Sequence, residues 1–80
     1  MKREAILEKV RQYILNQLDV SKAKLTEDAL LVEDLGADSA NLMMLIMDLE
    51  AEFDTTVEDD AIANIKTIGN IVDYIQKRIG

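Results

Sequence analysis

The sequence predicts an all-α fold, a small four-helix bundle of three longer helices and one short one. Three observations carry that prediction. Proline is absent and glycine occurs three times, at Gly36, Gly69 and Gly80, so long helices meet few breakers. No Asn-Gly pair marks a β-hairpin. Apolar residues recur at intervals of three and four, the helical period, rather than at the interval of two that marks a strand.

The first helix is expected from Glu4 to Leu18, where Ile6, Val10, Tyr13, Ile14 and Leu18 form a stripe that Leu7 and Leu15 widen. From Asp19 to Ala37 no period is sustained. Leu25, Leu30, Leu31, Val32 and Leu35 are too apolar for a free linker, so this long connection is expected to fold back onto the helices. The second helix runs from Asp38 to Phe53, with Asp38 or Ser39 as its cap and Gly36 as a permissive corner before it. A short third helix is expected between Asp59 and Ile65. The carboxylates of Glu58, Asp59 and Asp60 suit the positive end of its dipole. Thr67 caps a fourth helix built on Ile68, Ile71, Val72, Ile75 and Ile79. Lys77 and Arg78 lie at its C-terminal end, where cations are favoured.

Eighty residues leave no chain for a second core, so residues 1–80 are expected to form one domain, working as a monomer. Sixteen acids against nine bases give a net charge of −7. That balance argues against nucleic acid or an anionic membrane as partner. No apolar run reaches the roughly 18 residues of a membrane span, and Met1-Lys2-Arg3-Glu4 is followed by no signal-peptide core. A cytoplasmic protein is expected. With no histidine and no cysteine, the chain has no Ser-His-Asp or Cys-His catalysis, no thiol redox chemistry and no His/Cys metal site. Glu58-Asp59-Asp60 lacks the alternating ligands and turn glycine of an EF-hand loop, so no metal is expected. Paired carboxylates alone can catalyse, but nothing here gathers polar groups around a pocket. The chain reads as a non-enzyme.

Helix two carries two apolar sets. Leu42, Leu45, Ile46, Leu49 and Phe53 form a core-facing stripe, and Ala40, Met43, Met44 and Met47 lie around the cylinder from it. One account has the long connection burying the second set. The other makes it a partner-docking face edged by Asp48 and Glu50, since methionine suits adaptable surfaces. Charge segregation favours the second: twelve of the sixteen acids and none of the nine bases lie between residues 25 and 65. A field of one sign accelerates encounter with a basic partner.

Ser39 heads this helix after Gly36-Ala37-Asp38. A cap is the plain account of an Asp-Ser pair. The free N–H groups of a helix start also suit a phosphate esterified there. With no histidine in the chain and no lysine near it, Ser39 would need another enzyme to activate its hydroxyl. It reads as a modification site or a cap, not a nucleophile of the domain's own making.

The stretch Val32-Glu33-Asp34-Leu35-Gly36-Ala37-Asp38-Ser39, with Asp48-Leu49-Glu50-Ala51-Glu52-Phe53-Asp54-Thr55 after it, resembles the acyl carrier protein family. The likeness extends from the first helix to Asp73-Tyr74-Ile75 in the last. Gly-Ala-Asp-Ser before a helix ending Glu-x-Glu-Phe-Asp is the specific element. The resemblance implies phosphopantetheine, taken from coenzyme A by a phosphopantetheinyl transferase and attached at Ser39, with Asp38 beside it. It implies acyl groups carried as thioesters to acyl-transferring and acyl-modifying enzymes with basic docking surfaces. Their contacts would be Ala40, Asn41, Met43, Met44, Met47, Asp48 and Glu50. An acyl chain would lie among Leu42, Leu45, Ile46, Leu49, Val57, Ile62, Ile65 and Ile71.

The residues before Ser39 look more like the fatty-acid and polyketide branch than like peptidyl carriers. Relatives usually have leucine at Ala40, commonly an acid at Met44 and a proline at Glu58, and often an acid at Asn41. Helix two has thus lost charge near the serine and gained apolar surface, which points to a specialised pathway of fatty-acid, polyketide or related lipid synthesis. The competing expectation is an unmodified acidic adaptor that binds a partner protein through the methionine face.

Overall fold

In the computed structural model, which describes residues 2–79, the chain is all-helical in its regular elements; Met1 and Gly80 lie outside the described residues. Four α-helices follow in order: α1 Arg3–Gln17, α2 Ser39–Phe53, α3 Asp59–Asn64 and α4 Ile68–Ile79. The helix positions expected from apolar spacing agree with these to within a residue or two at each end. α1 packs against both α2 and α4.

One contiguous cluster forms the core. α1 gives Ile6, Val10 and Ile14; α2 gives Leu45 and Leu49; α4 gives Ile68, Ile71, Val72 and Ile75. Leu7 and Tyr13 pack on its edge, as expected of the wider stripe. Leu15 does not. It is exposed, because one residue beyond Ile14 the helix has turned by about 100°, out of the core. Leu18 follows the last turn of α1 and still packs on the core.

The long connection supplies Leu25, Ala29, Leu31 and Leu35 to the same cluster. It folds back as expected, with two exceptions in detail: Leu30 is half-buried and Val32 is exposed. Buried backbone needs hydrogen-bond partners, and here Lys66 and the first two residues of α4 provide them. Leu31 N–H donates to Lys66 O at 3.0 Å, Ile68 N–H to Ala29 O at 3.2 Å, and Gly69 N–H to Glu27 O at 2.9 Å. Leu30 and Thr67 form an isolated antiparallel bridge. A Cβ on Gly69 would stand 3.0 Å from Glu27 O, so glycine permits this approach of α4 to the connection. Asp34 closes the next turn by accepting Leu30 N–H at 2.9 Å.

Arg3 ties the same region from the other side. A cation in the first turn of α1 faces the positive end of the dipole, and it is compensated across space. Its guanidinium pairs with Glu27, with Asp73 at 2.5 Å and with Gln76 at 3.1 Å. These acceptors hold its pKa well above the ordinary arginine value, Glu27 contributing most.

Both long helices beyond the connection have reciprocal caps. Asp38 accepts Asn41 N–H at 2.8 Å while Asn41 Oδ1 accepts Asp38 N–H at 3.3 Å. Thr67 Oγ1 accepts Asn70 N–H at 3.1 Å, and Asn70 Oδ1 accepts Thr67 N–H at 3.0 Å. α3 differs. It has no buried residue and no side-chain cap.

Candidate functional site

Asp38, not Ser39, caps α2. The serine is the first helical residue and is exposed. Its hydroxyl takes part in none of the side-chain hydrogen bonds among the described residues. The N–H groups of Ser39 and Ala40 likewise find no acceptor there, whereas those of Asn41 and Leu42 go to Asp38. An unengaged hydroxyl beside two free N–H groups at a helix start fits an esterified phosphate.

The approach to this position is anchored. Ala37 is buried and its N–H donates to Leu31 O at 3.0 Å. Gly36 takes φ +74°, a conformation that a side chain would strain, and turns the chain into the cap. The residue two before the serine is thus tied to the core side of the long connection. The chain has no histidine, and no lysine or arginine lies between residues 25 and 65, so no basic side chain is near Ser39 in the sequence.

From Ser39 an exposed strip runs along α2. Met43 and Met47 follow at successive steps of four, so they share the serine's face, and Ala40, Met44 and Ala51 lie beside them. Met43, Met44 and Met47 are 47%, 56% and 62% exposed. The long connection therefore does not bury the second apolar set. It packs elsewhere, and three methionines face outward around the serine.

The acids named with this face have internal duties that the sequence did not signal. Asp48 Oδ2 accepts Gln17 Nε2–H at 3.3 Å. Glu50 Oε2 accepts Val57 N–H at 2.8 Å. Glu52, the remaining acid of α2, accepts Tyr13 O–H at 2.6 Å and pairs with Lys9 at 3.4 Å. The Tyr13 hydrogen bond, then the Lys9 charge, lower the Glu52 pKa; the same bond raises that of Tyr13. Asn41 is half-buried and bound into the cap.

The eight apolar residues expected around an acyl chain differ in burial. Leu45, Ile46, Leu49, Val57 and Ile71 are buried, Ile46 and Val57 outside the main cluster; Leu42, Ile62 and Ile65 are half-buried. Leu42 and Leu45 border a void of about 10 Å³ together with Ile14, Leu18, Leu31 and Ala37. That is space for one water at most. Ile65 borders an open groove of about 270 Å³ between α3 and α4, with Ala61, Asn64, Asn70 and Tyr74. Among the described residues no group of three or more acids is placed to hold a metal, and no helix is long and apolar enough to cross a membrane.

The sequence pattern of the family described as "Phosphopantetheine attachment site" matches residues 8–75, a span that includes Ser39. An acyl carrier protein of Thermotoga maritima is 46% identical over 78 residues, covering 98% of this chain and 96% of that one. One from Phenylobacterium zucineum is 44% identical over 75 residues, 94% and 95% of the two chains. A solved structure of the acyl carrier protein from Enterococcus faecalis superposes with a TM-score of 0.82 at 38% identity, over 96% of this chain and 98% of that one. Proteins of this kind bear a covalent phosphopantetheine group and are carriers rather than catalysts. On sequence and fold alike, the chain belongs to the acyl carrier protein family.

Proposed function

We propose that Ser39 is the residue that takes phosphopantetheine, and that the chain then presents acyl intermediates to enzymes of fatty-acid, polyketide or related lipid synthesis in the cytoplasm. The exposed, unengaged Ser39 hydroxyl on an anchored helix start is the observation that carries this reading. Ser39 Oγ forms the phosphate ester with the phosphopantetheine half of coenzyme A, and the adenosine 3′,5′-bisphosphate half leaves. A base of the transferase takes the serine proton, the chain itself having no histidine. Asp38 caps the first turn, and the free N–H groups of Ser39 and Ala40 would favour the negative charge of a phosphate ester there. Once attached, the arm supplies a terminal thiol that holds an acyl group as a thioester.

The acidic segment from 25 to 65 draws in partners with basic surroundings at their docking sites. Ala40, Asn41 and Met44 stand where fatty-acid carriers usually have leucine or acids, and they support a specialised pathway. The acyl chain is proposed to enter among Leu42, Leu45, Ile46, Leu49, Val57, Ile62, Ile65 and Ile71, which requires the interior to open.

Intact mass after incubation with coenzyme A and a broad-specificity phosphopantetheinyl transferase tests the assignment. The wild type gains one phosphopantetheine and Ser39→Ala gains none. A folded wild type that two unrelated transferases leave unmodified would sink the assignment and favour an adaptor acting through the methionine face. For the specialised pathway, efficient loading and elongation by the malonyl-transfer enzymes of general fatty-acid synthesis would count against it.

A further inference from the structure

The side-chain amide of Gln17, the last residue of α1, is divided between two environments. Its Nε2–H donates across to Asp48 Oδ2 on α2 at 3.3 Å, whereas its Oε1 is buried and accepts from no donor among the described residues. Turning the amide over brings no relief, because a carbonyl oxygen would then face the Asp48 carboxylate. A buried acceptor without a donor is destabilising, and it asks for a donor that the chain itself does not supply.

Gln17 borders the void of about 10 Å³ beneath the start of α2, whose other walls are aliphatic except for Asn41. Asn41 Oδ1 is committed to the cap, and its Nδ2 makes no hydrogen bond among the described residues. The void thus offers one acceptor and one donor, with room for a group the size of one water. A hydroxyl matches both, since it donates once and also accepts. A free water would give up its freedom for these two partners alone, whereas a hydroxyl tethered at Ser39 is already held nearby. Ala37 and Asn41, two residues to either side of Ser39, both border the void. No residue of α3 or α4 does, so it lies apart from Val57, Ile62, Ile65 and Ile71.

We propose that Gln17 and Asn41 seat a hydroxyl carried by the group attached at Ser39. The proposal rests on the assignment of the arm to that serine. Two sources carry such a hydroxyl: the phosphopantetheine arm itself, and an acyl chain with a β-hydroxyl. Both side chains are positioning residues, which hold the hydroxyl and leave the thioester untouched.

Urea unfolding is compared for the apo, holo, decanoyl and β-hydroxydecanoyl forms of the wild type and of Gln17→Met, with loading scored by intact mass. If the arm supplies the hydroxyl, the holo form gains about fivefold in its folding equilibrium over apo; if the cargo does, the β-hydroxydecanoyl form gains about fivefold over decanoyl. The gain disappears in Gln17→Met, which keeps the bulk and loses the acceptor. A merely structural Gln17 would lower all four forms alike and leave the differences between them unchanged. In NMR, the Gln17 side-chain amide resonances move at the same step.

No gain in any wild-type form, or equal gains in the wild type and Gln17→Met, would overturn the proposal. So would a bound water whose contact with the Leu45 methyls persists in every loaded form. If transferases leave the chain unmodified, the Ser39 assignment fails and the void is tested without them. Ser39→Cys then holds the only thiol, and it is alkylated with an iodoalkanol or with the matching iodoalkane. Equal stability of those two products overturns the hydroxyl seat on its own.

Discussion

Glu50 and Val57 are joined across the end of α2, the Glu50 carboxylate accepting the Val57 N–H at 2.8 Å. The helix has just ended at Asp54, whose φ of 50° puts a non-glycine residue in the left-handed region. The chain must then turn back towards α3 with its amides satisfied, and Glu50 supplies the acceptor from within α2. A hydrogen bond to a charged group of this kind contributes about 1.5–3 kcal/mol when partly buried. Glu50→Ala therefore lowers unfolding stability by roughly that amount, and Glu50→Gln, which keeps an acceptor, by less. Urea unfolding of the three proteins at neutral pH checks it. Equal midpoints would mean that Glu50 is free for partners after all.

Asp38 and Asn41 satisfy each other's backbone N–H groups, and Ser39 stands between them. Asp38→Ala removes an N-cap acceptor and costs about 1 kcal/mol, while Asp38→Asn keeps a capping oxygen and costs little. The functional consequence is separate from the stability loss. Fraying of the first turn unseats Ser39, so Asp38→Ala is modified more slowly than the wild type under conditions where both are folded. Modification at the wild-type rate would show that the cap does not position the serine.

Spacing made the helices legible, and the Gly-Ala-Asp-Ser element made the family legible. Both are local, written in residues that are neighbours in the chain or on one helix face. What escaped was long-range. Gln17 reaches Asp48 across thirty-one positions and Val57 N–H reaches Glu50 across the α2–α3 turn, so neither acid's engagement shows in the pattern of α2 alone. The connection from residue 19 to residue 37 has no period because backbone contacts with Lys66, Ile68 and Gly69 shape it, not a repeating face. Leu15 misled for the opposite reason. Its hydrophobicity matched the stripe but its angular position did not. The methionines were legible as an apolar excess, and the packing of the connection decided that they stay exposed.

Tyr13 and Glu52 couple α1 to α2 through a titratable hydrogen bond. The bond lowers the Glu52 pKa, so its contribution is present above the ordinary glutamate value and is lost as pH falls through the lowered one. It raises the Tyr13 pKa, so that contribution is present below the ordinary tyrosine value and is lost as pH rises through the raised one. The tie is therefore complete between about pH 4.3 and about pH 10. Both groups are open to solvent, which screens the pair, so titration is a sharper readout than stability. In Tyr13→Phe the Glu52 carboxyl, followed by NMR, titrates nearer the ordinary glutamate value. Lys9→Ala moves it the same way, the Lys9 charge also lowering the Glu52 pKa. An unchanged titration in Tyr13→Phe would remove the tie.

α3 is the part of the fold most able to open. It spans six residues, buries none of them fully and lacks a side-chain cap; Ile62 and Ile65 are only half-buried. The long connection looks less regular but places Leu25, Ala29, Leu31 and Leu35 in the core and shares backbone hydrogen bonds with Lys66 and the start of α4. Irregular shape and low stability are thus separated here. Local opening follows the number of buried apolar contacts, not helicity. Native-state hydrogen exchange therefore finds the amides of α3 opening well before those of α1, while Leu31 N–H and Ile68 N–H in the connection and its bridge exchange far more slowly than α3. The order matters for cargo. Val57, Ile62, Ile65 and Ile71 lie on or beside α3 and the start of α4, and the void under α2 holds about 10 Å³, so an acyl chain needs an element to move. In a carrier loaded with a long acyl group, the α3 amides should change exchange rate more than those of any other helix. If α3 exchanges as slowly as α1 in both states, the interior opens elsewhere and those four residues do not line the path.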